Sequence, residues 1–233
     1  KGEGSERRPD FTRDEYRTLI RKLPHWIKQG KAGKPTDMRY LLRDYVLILA
    51  NTGMRHGTEA LNLRWKHVTL FEEKGLQYLE MSVRGKTGRR DIICRSGAIN
   101  YLQRIHERSE DIKHIPFEDM LKQRVDLPVF RLPDGTVSKN LHQTFRAFVT
   151  ETGLITCPRT GQNRTLYSLR HTYATFALLN DGMDIHALAI QMGTSIGMIE
   201  RHYSHLTPRL KKDMLTGKRH DLPADEFIQR YKS

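Results

Sequence analysis

Four short segments of this 233-residue sequence carry side chains suited to work on an anion. Thr52-Gly-Met-Arg55 sets an arginine just past a glycine helix stop, where the side chain can point into a cleft. Gly85-Lys86-Thr-Gly88 sets a lysine at the tip of a turn, the easiest place from which to reach a partner. Tyr167-Ser-Leu-Arg170-His171 reads as a helix start with a second arginine in its first turn, where free backbone N–H groups and the helix dipole favour negative charge. Glu200-Arg-His-Tyr203-Ser-His205 surrounds a tyrosine with cationic or potentially cationic neighbours. Taken alone, each has an ordinary reading. An arginine after a helix stop is usually a surface residue, and Lys86 sits among Arg84, Arg89 and Arg90, which read as contacts to a phosphate backbone.

The charge balance points the same way. Forty Lys+Arg against 27 Asp+Glu leave a formal net charge of +13, a balance that serves nucleic acid or an anionic membrane surface. No long segment combines a Lys/Arg face with a Trp/Phe/Leu face, which weakens the membrane option. No stretch approaches the run of about 18 apolar residues needed to span a bilayer. The N-terminal residues Lys1-Gly-Glu-Gly-Ser-Glu-Arg-Arg8 lack the apolar core of a secretory signal. Cys94 and Cys157 cannot by themselves make a disulfide framework or a zinc site, so a reducing cytoplasm is the expected compartment. Double-stranded DNA is the expected partner, with no membrane and no cofactor.

These side chains must be positioned by elements whose patterns are legible. Residues 1–10 read as a linker. Thr12-Arg-Asp-Glu15 is a capping box, and Tyr16, Leu19, Ile20, Leu23 and Ile27 then recur at helical spacing. After a loop from Gly30 to Pro35, a second helix is expected from Asp37 to Thr52, stopped by Gly53, with a short helix over Glu59–Leu63. The period then shortens. Val68–Phe71, Gln77–Val83 and Asp91–Cys94 read as three strands of one small antiparallel sheet. Helices are expected over Ala98–Arg108, Ser138–Thr152, Ser168–Asn180, Ile185–Met192, Ile196–His202 and Pro208–Leu215, with a last short element between Pro223 and Tyr231. The fold class is α+β and mainly helical.

The order arginine, turn lysine, x-x-x-Arg and tyrosine resembles the tyrosine recombinases, including the phage-type integrases. Asn51-Thr-Gly-Met-Arg55 through Leu61-Asn-Leu-Arg-Trp65, Leu169-Arg-His-Thr-Tyr-Ala-Thr175, and Met192-Gly-Thr-Ser-Ile196 leading to His202-Tyr203 carry the likeness, which runs from about Pro9 to His205. The resemblance implies an integrase-like catalytic domain over residues 11–215 and a 3′-phosphotyrosyl intermediate, as in the integration or excision of a mobile genetic element. Arg55 and Arg170 would fork onto the non-bridging phosphate oxygens. Tyr203 would attack phosphorus, and its phenol needs cationic surroundings or a nearby base, because its ordinary pKa is about 10. Lys86 would protonate the leaving 5′ oxygen. The covalent link conserves the phosphodiester, so neither ATP nor a metal is required.

The sequence departs from the family pattern in three places. The residue three before the second arginine is commonly histidine and is here Tyr167. The family's histidine or tryptophan shortly before the nucleophile is here Thr194. Both hydroxyls can bind a phosphate oxygen but are poor bases near neutral pH, so Tyr167 and Thr194 are read as phosphate donors. His171, His202 and His205 stand as candidates to assist, although His171 equally reads as a buried, hydrogen-bonded histidine. Thirdly, Glu59 follows Arg55 by four positions where the family's acid follows by three, which puts its pairing with Arg55 in question. Tyr173 and Trp65 read as core. The usual helical DNA-binding domain ahead of this one has no counterpart in these residues, so the chain reads as a catalytic half. A binding module without catalysis and a type IB topoisomerase-like enzyme are the alternatives.

The tail, residues 216–233, contains the apolar pair Phe227 and Ile228 and is expected to dock on a neighbouring subunit of a homo-oligomer, a tetramer, on DNA. Removing it is expected to weaken self-association on DNA as seen by sedimentation, and unchanged association would sink the idea.

Overall fold

Local capping chemistry starts the first helix. A computed structural model describes residues 8–85 and 88–206. In it the Glu15 N–H donates to Thr12 Oγ1 (3.2 Å) and the Thr12 N–H to the Glu15 carboxylate (2.8 Å), the anticipated capping box. Helix α1 (Arg13–Lys28) buries Leu19, Leu23, Trp26 and Ile27. Asp10, read from sequence as linker, is instead buried, and its carboxylate accepts from Arg159 and from Thr175 Oγ1. Helix α2 (Lys34–Thr52) starts before the expected Asp37, because Pro35 falls in the first turn, where its fixed φ fits and its missing N–H is not needed. Gly53 ends α2 in the left-handed conformation, its N–H bonding the Leu49 carbonyl (3.1 Å).

The short helix expected over Glu59–Leu63 does not form. The chain makes a series of turns there, because the Glu59 carboxylate folds back onto the Arg55 backbone N–H (2.7 Å) and Gly57 takes a positive φ. Three antiparallel strands follow in the order β1-β2-β3: β1 (Val68–Glu73), β2 (Leu76–Gly85) and β3 (Gly88–Ile93). Their inward face carries Leu79, Met81, Val83 and Ile92.

Helices α3 (Ala98–Arg108), α7 (Ile185–Met192) and α8 (Ile196–Tyr203) keep the expected bounds to within a residue. Helix α5 (Leu141–Glu151) begins later than Ser138, and α6 (Leu166–Leu179) begins earlier than Ser168. Helix α4 (Phe117–Lys122) has no sequence expectation behind it, since six residues are too few to show a period. The elements expected over 208–215 and 223–231, and the tail, lie outside the described residues.

The core has two parts. The larger joins α1 to α5, the inner face of the sheet, and Leu166 and Leu169 at the start of α6. The smaller joins Tyr173, Ala177 and Leu178 of α6 with Leu188, Met192, Ile199 and Tyr203 of α7 and α8. Helix α6 therefore crosses the seam, and every residue in it except Tyr167 and Leu179 is buried. A helix buried all round needs an apolar circumference rather than one stripe, and Leu-Arg-His-Thr-Tyr-Ala-Thr supplies it only because its polar members find partners.

Away from the seam, α2 and α3 are clasped by a fully buried Asp44. Arg104 donates to its Oδ1 from Nε (2.8 Å) and Nη2 (2.5 Å), Arg108 to Oδ2 (2.5 Å), and Arg43 to both oxygens (3.1 Å). Replacing Asp44 by Asn removes the charge that pairs with three arginines, and chemical denaturation should show a loss of about 3 kcal/mol. Stability equal to that of the unaltered protein would mean the arginines are satisfied by solvent alone.

Candidate active site

The site sits where the two parts of the core meet. Thr165 caps α6, accepting from the Tyr167 N–H (3.2 Å), while its own N–H donates to Ser168 Oγ (3.1 Å). This cap sets the helix start at Leu166, so Arg170 lies in the second turn rather than the first, and its guanidinium, not the helix N-terminus, is the cation of this site. Arg170 is buried. Nη1 donates to the Gly53 carbonyl (2.5 Å) at the end of α2, and Nη2 to the Met192 carbonyl (2.6 Å) at the end of α7. Both acceptors belong to helix C-termini, whose carbonyls lack helical partners and carry partial negative charge. Burial, then the nearby Arg55, pulls the guanidinium pKa down to about 10, which still leaves it charged at neutral pH.

Arg55 is held in the same manner. Nη2 donates to the Gly193 carbonyl (2.5 Å), the cap of α7, and Nη1 to Glu59 Oε1 (2.5 Å). The pairing that the four-residue spacing put in question is thus present, and Glu59 binds both the backbone and the side chain of Arg55. Arg90 is also drawn in, donating to both Glu59 oxygens (2.6 and 2.8 Å) and to the Gln191 carbonyl (3.2 Å). Its guanidinium, grouped from sequence with arginines facing a phosphate backbone, is turned inward onto these acceptors. The missed signal was parity: Arg90 lies two before the buried Ile92 and pairs with the buried Val83, which places it on the inner face of β3. Burial alone would raise the Glu59 carboxyl, but the bonds from Arg90 and Arg55 outweigh it and hold the pKa at about 2. Close approach makes Gly85 necessary at the end of β2, since a Cβ there would lie 2.6 Å from Glu59 Oε1 and 3.2 Å from Arg55 Nη1.

Between these arginines and α8 lies a cleft of about 420 Å³. It gathers Arg55, Tyr167, Arg170, His171, Thr194, His202 and Tyr203, seven residues scattered over the sequence. Tyr167 lies at the mouth, 43% exposed, while Tyr203 and His171 lie within at 7% and 8%. His171 Nδ1 is 2.6 Å from the Tyr203 hydroxyl, so His171 is buried and hydrogen-bonded as expected, with the nucleophile candidate as its partner. Its ring also meets those of Tyr167 and His202 at centroid distances of 5.2 and 6.1 Å. Burial pushes the Tyr203 phenol up, against the opposing pull of Arg170. Burial, followed by His202, Arg170 and Arg8, pulls the His171 imidazole down to about 3.

Lys86 lies outside the described residues, between the paired ends Gly85 and Gly88 of β2 and β3. Tyr173 packs in the smaller core beneath Gly53, and Trp65 is fully buried in the larger, both as read from sequence. Among the described residues no group of three or more His, Cys, Asp or Glu is arranged to hold a metal ion, and no helix is long and apolar enough to cross a membrane.

The model of the phage integrase family matches residues 10–209, and the chain belongs to that family. No curated protein sequence matches it. Solved structures that share its fold include the XerH site-specific recombinase bound to palindromic difH substrate in a post-cleavage complex, with a TM-score of 0.59 and 19% identity over 88% of this chain and 52% of that one. XerA recombinase is similar at 0.60 and 20% over 93% and 67%. The Tn1549 transposon integrase in complex with transposon right end DNA is similar at 0.52 and 18% over 90% and 66%. The chain spans about half the length of the XerH chain it matches.

The carboxylate shared by Arg55 and Arg90 has a pH signature. With its folded pKa at about 2 against an ordinary 4.5, Glu59 contributes stability that is complete above pH 4.5 and is lost as pH falls toward 2. Glu59→Gln should lower stability by about 3 kcal/mol at neutral pH, by leaving two guanidiniums short of their partner, and should flatten the acid limb of the stability curve. An unchanged acid limb in thermal melts would show that other carboxylates set it.

Proposed function

We propose that this member of the phage integrase family is the catalytic domain of a site-specific DNA recombinase that cuts a strand through Tyr203 and rejoins it to a partner strand. The observation that carries the reading is the cleft itself, in which a buried phenol shares one space with two anchored arginines. A scissile phosphodiester bears one negative charge, and more develops on its oxygens as a nucleophile adds. A guanidinium carries five N–H donors. The bonds described above engage two from each arginine with the protein, so each fork is fixed in place and keeps donors for a non-bridging oxygen. Donors positioned before charge appears need no reorganisation as the reaction proceeds, and one such donor is typically worth about 3 kcal/mol.

In this reading Tyr203 Oη attacks phosphorus, the P–O5′ bond breaks, and a 3′-phosphotyrosyl link conserves the phosphodiester for rejoining. Tyr167 and Thr194 add hydroxyl donors to the phosphate, and Lys86 protonates the departing 5′ oxygen. Duplex DNA is the substrate and the excess of Lys and Arg tracks its backbone. The DNA complexes in which XerH and the Tn1549 integrase were solved agree with this partner. Assembly as a homo-oligomer on DNA, a tetramer, is part of the proposal, and the exposed Ile190, Ile196 and Met198 on α7 and α8 give subunits an apolar surface to share. Cys94 and Cys157 are both free and buried, which suits action in a reducing cytoplasm.

Covalent trapping tests the reading. The protein and its Tyr203→Phe variant would be incubated with a pool of nicked duplexes of randomised sequence, from which the short strand beyond the cut diffuses away, and resolved on a denaturing gel. A covalent band from the unaltered protein and none from the variant is the expected result, and sequencing the trapped DNA would give the site. Binding without any covalent band would convert the reading to a DNA-binding module. Adducts and supercoil relaxation without sequence preference would convert it to a topoisomerase-like enzyme.

A further inference from the structure

We propose that His171 is the general base of strand cleavage, taking the proton from Tyr203 as the phenol attacks phosphorus. This rests on the recombinase reading above. The imidazole that the family pattern places three residues before Arg170 is missing, and Tyr167 stands there. His171 lies four residues beyond Tyr167, so both project from the same face of α6, one turn apart, and their rings meet edge-on. The four-residue step takes the ring from the mouth of the cleft to its interior. There Nδ1 stands 2.6 Å from Tyr203 Oη, a contact between two buried side chains whose elements, α6 and α8, pack in the smaller core. An imidazole thus lies one helical turn deeper than Tyr167 and against the proposed nucleophile.

The charge states fix the direction of that bond. Burial keeps Tyr203 protonated, and burial with the cations around it keeps His171 neutral. The phenol O–H therefore donates to Nδ1, and the ring proton resides on Nε2. In the free protein the proton stays on oxygen, because an imidazole held this far down is too weak a base to remove it. A bound phosphodiester alters that balance. It sets a negative charge beside Arg170, whose positive charge is one cause of the low basicity of His171, and a neighbouring anion favours imidazolium. Among the described residues, His202 from α8, Tyr167 on its own helix and Arg8 from the N-terminal segment also face His171. Base strength is thus supplied by the substrate, and the nucleophile becomes reactive only where a phosphate occupies the arginine forks.

The step balances. Tyr203 Oη forms its bond to phosphorus, the phenolic proton passes to Nδ1, the P–O5′ bond breaks, and the 5′ oxygen leaves as a hydroxyl with the proton assigned to Lys86. On rejoining, the incoming 5′ hydroxyl gives its proton back and His171 returns its own to the departing phenolate. No proton is gained or lost over the cycle.

The test uses the full chain and the duplex recovered by covalent trapping. His171→Gln and His171→Ala should form adduct about 10²–10⁴-fold more slowly at saturating DNA, the range for loss of a general base, with DNA binding retained. Imidazole added to the buffer should restore part of the rate to His171→Ala, which a merely structural histidine would not permit. Nitrogen NMR of the DNA-free protein gives a second readout. His171 Nδ1 should appear as an unprotonated acceptor, and its resonance should move in Tyr203→Phe. Adduct rates equal to the unaltered protein in both variants would overturn the proposal, as would a protonated Nδ1 or a resonance indifferent to Tyr203→Phe. If either variant fails to fold, the NMR comparison decides. Absence of any adduct from the unaltered protein is a different result, and it overturns the recombinase reading and the base role with it.

Discussion

The buried guanidinium of Arg170 ties the two parts of the core together. An isolated charge placed in a medium as dry as the seam between the cores would cost on the order of tens of kcal/mol. It is tolerated because two helices end there. The Gly53 and Met192 carbonyls close α2 and α7, and each presents to Arg170 an acceptor that the helix itself cannot satisfy. The need is mutual: the helix ends require a donor and the cation requires acceptors. Since α2 belongs to the larger core and α7 to the smaller, this exchange fixes the position of one against the other. The cleft lies along the seam it closes.

A second exchange of the same kind sets the sign of the site. Glu59 is shared between Arg55 and Arg90, and Arg55 reaches on to the cap of α7. With Arg170, three guanidiniums meet one carboxylate, so the cleft is left positive after its internal pairs are made. The sheet is tied in as well. Gln191 at the end of α7 donates to the Ile93 carbonyl and accepts from the Ile93 N–H, continuing the edge of β3 as a further strand would. A positive site held from three directions is preorganised for an anion. Its rigidity comes from the same bonds that satisfy the helix ends and the strand edge.

Within that frame the Tyr203 phenol is kept protonated by its surroundings. Tyr203 is buried at the end of α8 against the smaller core, where the phenol favours its proton, and its bonded partner His171 is held neutral by the same burial. A phenolate close to two guanidiniums would bind them itself and compete with any other anion. Neutrality of the Tyr203–His171 pair leaves the remaining arginine donors to an anion entering the cleft.

How much of this was legible before the structure depended on the range of the signal. Where the information lay within a few residues, the sequence determined the outcome by itself. The Thr12–Glu15 capping box, the Gly53 stop, the bounds of α3 and α7 and the small antiparallel sheet were readable from local chemistry. Where a side chain chose between partners far apart in sequence, local reading failed. Arg90 stood among surface arginines by composition but turns inward to Glu59 and to Gln191, and Glu59 was doubted for its spacing although a run of turns, not a helix, carries it back to Arg55. His171 could be read as buried and hydrogen-bonded, yet only the packing of α8 against α6 decided that its partner is Tyr203. The physical reason is common to these cases. Helix caps and periodicity are settled by backbone groups a few residues apart, whereas a buried charge or imidazole takes whichever acceptor or donor the folded chain brings within about 3 Å, and that choice exists only once the elements have packed.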